Sequence, residues 1–90
     1  MTALPASAKA YQRTPVFTQD TVPASLLKDH KTKAGTWGVI TVVSGRLQFT
    51  VPSLGLETTL EAGETGIAEP EVTHRVEPQG PVAFYVEFWR

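Results

Sequence analysis

Two histidines, nine carboxylates and no cysteine set the chemistry open to this 90-residue chain. Thiolate metal sites and thiol catalysis are excluded, and no disulfide can supplement the core. A site built from imidazole and carboxylate is the natural option, and such donors suit Zn²⁺ or Fe²⁺. The imidazoles are His30, in Lys28-Asp29-His30-Lys31-Thr32, and His74, in Glu71-Val72-Thr73-His74-Arg75-Val76. Glu87 is the best third ligand, because it stands in the otherwise apolar run 82–89. Burying a carboxylate costs several kcal/mol unless a cation or hydrogen bonds compensate. Strand alternation puts Val82, Phe84, Val86 and Phe88 on one face and Tyr85, Glu87 and Trp89 on the other. Glu87 therefore meets a metal only if that second face lines the cavity. Glu69 is the reserve ligand, two residues from Ile67 on the same strand face. Trp37 and Tyr85 are the aromatics that could stack on a ligand, against the commoner role of aromatics as core or edge cover. No Gly-x-Ser-x-Gly elbow and no glycine-rich phosphate loop is present.

The elements that must position these residues read as strands. Residues 36–43 are rich in β-branched side chains, with Trp37, Val39, Thr41 and Val43 alternating with Gly38, Ile40 and Val42. Ser44-Gly45 then supplies a turn signal, and Leu47, Phe49 and Val51 alternate with Arg46, Gln48 and Thr50. These two runs are expected to form a hairpin. Further strands are expected at 56–61, 65–69, 73–77 and 82–89, with Pro78-Gln79-Gly80-Pro81 ending the run at 73–77. Residues 14–17 read as a short edge strand. Residues 25–30 read as a strand or a single helical turn after Pro23, with the strand preferred. Short strands separated by turn signals about every 8–12 residues, with no helical periodicity, indicate an all-β sandwich or barrel of about seven or eight antiparallel strands.

Residues 63–76 run through a turn, a strand, a proline-bearing turn and a histidine that opens the next strand. This resembles the second sequence motif of the cupins, whose histidine points into the barrel and binds a metal. Pro70 stands one position closer to His74 than in that family, and the usual intervening glycine is missing. The first cupin motif, His-x-His with a downstream glutamate, has no counterpart on the strand before Gly45, so a three-ligand site of the standard kind cannot form. A closer resemblance runs through Thr14-Pro15-Val16-Phe17, Pro23-Ala24-Ser25-Leu26-Leu27-Lys28-Asp29-His30, Gly35-Thr36-Trp37-Gly38, Glu69-Pro70-Glu71-Val72-Thr73-His74-Arg75-Val76 and Phe84-Tyr85-Val86-Glu87-Phe88. It is similar to the small cupin-like domain found alone in YeaR-like proteins and at the N-terminus of some TehB tellurite-resistance methyltransferases. The resemblance implies a cupin-like jelly-roll barrel over residues 11–90 and an association with tellurite or related oxyanion stress. It implies no methyl transfer, which in TehB belongs to a separate Rossmann-like domain with a glycine-rich loop.

Residues 1–10 read as a flexible lead-in without the apolar core of a signal peptide. With no apolar run near the roughly 20 residues of a membrane helix, and no cysteine, the expected location is the cytoplasm and no membrane partner is expected. The net charge of −1, with both signs scattered, argues against nucleic-acid binding. The leading expectation is a domain that holds a divalent metal, zinc or iron, on His30, His74 and Glu87, with a small molecule or anion at the open position. Trp37, Glu69 and Tyr85 would line the ligand site. The alternatives are a metal-dependent enzyme of dioxygenase or isomerase type, and a metal-free interaction module whose aromatic last strand makes a homodimer.

Overall fold

A computed structural model describes residues 4–90. Residues 1–3 of the expected lead-in lie outside the described residues. Six strands form one antiparallel sheet: β1 Ala10–Arg13, β2 Phe17–Thr18, β3 Trp37–Val51, β4 Leu56–Glu61, β5 Thr65–Ala68 and β6 Arg75–Trp89. Two short 3-10 turns, Ala24–Leu27 and Pro52–Leu54, complete the regular structure, and no α-helix occurs among the described residues. Among the described residues, no helix is long and apolar enough to cross a membrane.

The two 15-residue strands β3 and β6 are the spine of the molecule, paired from Trp37 opposite Trp89 to Thr50 opposite Arg75. The expected hairpin at Ser44-Gly45 does not form: the chain runs straight through as β3. The alternation changes phase here, with Ile40 and Val42 buried on even numbers and Leu47, Phe49 and Val51 on odd ones. A hairpin is one way to absorb that change. The protein uses irregular pairing instead, with register shifts between Val42 and Ser44 and between Gly45 and Leu47. Bulges of this kind bend a strand and re-aim its side chains, so both halves of β3 face one core. Gly45 makes this possible: its φ is +77°, and an added Cβ would lie 2.0 Å from the Pro81 carbonyl oxygen. The expected turn at residues 78–81 is likewise absorbed into β6. The strand expected at 25–30 is the alternative helical turn, Ala24–Leu27.

β4 pairs with the second half of β3 and β5 with the first half, so they follow one another along the same edge. β1 and β2 do the same along β6. The path ends at β1 on one side and β4 on the other, so the sheet curls without closing. The lead-in is tied down at its end, where the Lys9 and Arg90 amides donate to one another's carbonyls, both at 3.1 Å. The concave face carries the core: Ile40, Val42, Leu47, Phe49 and Val51 from β3, Leu60 from β4, Ala68 from β5, and Val76, Val82, Phe84 and Val86 from β6. Burying each of the larger side chains contributes about 1.5–3 kcal/mol.

Candidate functional site

The 3-10 turn and the segment after it cover one end of the concave face and leave a cavity of about 220 Å³. Leu26, Ile40, Val76, Phe84, Val86 and Phe88 make its wall mostly apolar, and His30, Thr32 and His74 supply its chief polar groups. A larger open groove of about 410 Å³ lies along Phe49, Leu54, Leu56, Leu60 and Val72, and Glu69 is the only titratable side chain on it. Of these two spaces, the smaller is the one that holds the histidines.

Residues 30–32 thread between the tail of β5 and the head of β6. The His30 and His74 amides each donate to the other's carbonyl, at 2.8 and 2.7 Å, forming an isolated antiparallel bridge. Thr32 bridges to Pro70, and its carbonyl accepts from the Glu71 amide at 3.1 Å. The buried Thr32 hydroxyl donates to the Thr36 carbonyl at 2.7 Å and lies 3.4 Å from that of Glu69. These bonds hold the two imidazoles edge to face, with ring centroids 5.3 Å apart.

His74 is only 4% exposed and also packs against Phe49, with centroids 6.2 Å apart. Its Nδ1 lies 3.2 Å from the Val72 carbonyl oxygen. A carbonyl only accepts, so this contact assigns the proton to Nδ1 and leaves Nε2 with its lone pair. Burial pushes the His74 pKa below the usual imidazole value, and proximity to His30 adds to that; the Val72 hydrogen bond works in the opposite direction. The His30 ring is half-buried, and its Nδ1 is buried with no hydrogen-bond partner. Such an orphaned polar atom costs about 1–3 kcal/mol.

The structure thus brings His30 and His74 together, and it separates the other candidates from them. Glu87 lies on the opposite face of β6, where it accepts from Arg13 Nη2 at 2.7 Å and from Nε at 3.2 Å. The expected three-ligand set is corrected accordingly: Arg13 supplies the compensating cation that the embedded carboxylate requires. That hydrogen bond, with the charge of Glu87, raises the Arg13 pKa. Tyr85 shares this outer face, with the Arg13 guanidinium 4.6 Å from its ring centroid. Trp37 pairs with Trp89 on β6 and, like Tyr85, does not line the histidine cavity. Glu69 lines the neighbouring groove instead. Thr32 and Leu26 were not anticipated from the sequence, because neither residue carries a distinctive local signal.

Among the described residues, no group of three or more histidines and carboxylates could hold a metal ion. Zinc centres take three or four protein ligands, whereas this cavity offers two. The residues present do not fit a resident metal of that kind.

Comparison with known proteins places this architecture. The TehB-like domain family matches residues 12–86, most of the chain. The chain belongs to that family. The TehB-like domain is 35% identical over 72 residues to a probable S-adenosyl-L-methionine-dependent methyltransferase TehB of Haemophilus influenzae Rd, covering 74% of this chain and 25% of the relative. The TehB of H. influenzae strain 10810 is 33% identical over the same length and coverage. The chain thus spans about a quarter of the length of the curated relatives it matches. The crystal structure of H. influenzae TehB superposes with a TM-score of 0.83 at 30% identity, covering 93% of this TehB-like domain and 32% of that chain. A crystal structure of an Escherichia coli K12 protein gives a TM-score of 0.87 at 22% identity, covering 100% of this chain and 97% of that one, a likeness of fold alone.

Proposed function

We propose that this TehB-like domain is a small-molecule binding module, built as an open cupin-like jelly roll, whose ligand sits in the histidine cavity. One observation carries the reading: an apolar cavity of about 220 Å³ has a buried, unpartnered imidazole nitrogen in its wall, beside a second buried imidazole. Small-ligand sites combine an apolar lining with a few convergent polar groups in this way. His74 keeps Nε2 as an acceptor, and His30 has one nitrogen to offer once a ligand satisfies it. Reaction chemistry finds little support beside these features. The sequence holds no glycine-rich phosphate loop and no Gly-x-Ser-x-Gly elbow, and among the described residues the metal set of a dioxygenase- or isomerase-like cupin lacks its third ligand. The oxyanion-stress association implied by the family resemblance is compatible with a sensing or carrier role in which nothing is turned over.

The test uses 4-fluorotoluene as a neutral probe, followed by fluorine line broadening. Binding is expected to the native protein and to be lost in Ser25→Trp, which places a bulky ring from an exposed rim residue across the cavity. Equal broadening in both proteins, or none in either, would refute the cavity as a binding site. Elemental analysis after incubation with Zn²⁺ and Fe²⁺ is expected to show no stoichiometric metal; one equivalent per chain, lost in His74→Ala, would restore the metal reading.

A further inference from the structure

A further groove, of about 330 Å³, opens beside the segment that carries His30. It shares His30, Thr32 and Phe88 with the apolar cavity, so the two spaces adjoin at these residues. Its character is different, because Lys31 and Lys33 line it and no carboxylate does. His30 and Thr32 line both spaces, whereas Lys31 and Lys33 line the groove alone. Both lysines are exposed. Neither takes part in the ion pairs of Arg13 with Glu87 and of Arg75 with Asp29. Two exposed cations thus sit at one opening that no carboxylate lines, in a chain whose net charge is −1. The backbone that carries them is fixed on both sides, by the His30–His74 bridge and by Thr32 against Pro70 and Glu71.

Resting on the binding-module reading above, we infer that the ligand is a small amphipathic anion, with its apolar body in the histidine cavity and a carboxylate or similar group between Lys31 and Lys33. The apolar wall holds the body without regard to charge. The lysines select the anion, and they attract it before it docks, because clustered like charges raise the local concentration of their counter-ion. His30 stands at the junction, where the ligand passes from apolar wall to charged rim.

The experiment compares two probes with nearly the same body, neutral 4-fluorotoluene and anionic 4-fluorophenylacetate, by fluorine NMR titration of the native domain. The carboxylate is expected to bind roughly two- to thirtyfold more tightly, the range for two solvent-exposed charge pairs. That advantage is expected to shrink as salt is raised. In the double variant Lys31→Gln, Lys33→Gln the two probes should bind alike, with the neutral probe unchanged from native. Equal affinities in the native domain, or an advantage that survives in the double variant, would overturn the anion assignment and leave the cavity reading standing. Binding of neither probe would overturn the cavity reading and the assignment together.

Discussion

Gly45 offers the sharpest test of the continuous β3 strand, because it separates backbone strain from collision. Gly45 and Gly55 both have positive φ, +77° and +62°. An alanine at either position is held where an L-residue loses about 1–2 kcal/mol. At Gly55 a new Cβ meets nothing within 4 Å, so strain is the whole cost. At Gly45 the same Cβ would lie 2.0 Å from the Pro81 carbonyl oxygen and 2.9 Å from Val82 Cα. These are backbone atoms of β6, which cannot swing aside as a side chain does, so the spine must part at its bulge. Overpacking typically adds about 1–3 kcal/mol, which brings Gly45→Ala to about 2–5 kcal/mol. Against a total stability of about 5–15 kcal/mol, that is a large fraction. Each kcal/mol moves the midpoint of a domain this size by roughly 4–8 °C. The assay is urea and thermal unfolding of the native protein, Gly55→Ala and Gly45→Ala, followed by far-ultraviolet circular dichroism. Gly45→Ala should lose clearly more than Gly55→Ala. Equal losses would mean that Gly45 occupies an open turn, and the hairpin reading would return in place of the bulged strand.

Other outcomes follow from the same structure. Burial lowers the His74 pKa, so the native state takes up its proton less readily than the unfolded chain. The stability this contributes is complete above about pH 6.5 and is lost as pH falls through the native value, with a slope of at most about 1.4 kcal/mol per pH unit for one group. Urea unfolding at a series of pH values should show this slope in the native protein and a flatter one in His74→Phe; identical slopes would assign the dependence to other groups. Phe84 is fully buried and meets Phe17 edge to face, with centroids 5.8 Å apart. Phe84→Ala should cost about 3–5 kcal/mol by urea unfolding, and a loss below about 1 kcal/mol would contradict its place in the core.

Much of the fold was legible in local pattern. β-branched alternation announced an all-β chain, and the spacing of Val82, Phe84, Val86 and Phe88 named the apolar face of the last strand. The same alternation set Glu87 on the other face; its reason for being there, the cation of Arg13, waited on the pairing of β1 with β6. The hairpin was misread because a glycine with positive φ serves a turn and a bulge equally well. Only the partner strand, β6, decides between them, and it lies well downstream in the sequence. Composition alone limited the site to imidazole and carboxylate, since no cysteine exists. Bringing His30 to His74 depended on hydrogen bonds between segments distant in the chain, and these also placed Thr32 and the two lysines. Residue types and strand periodicity are local properties that a sequence displays directly. Register, bulge and the meeting of two loops depend on long-range pairing, which tertiary structure alone decides.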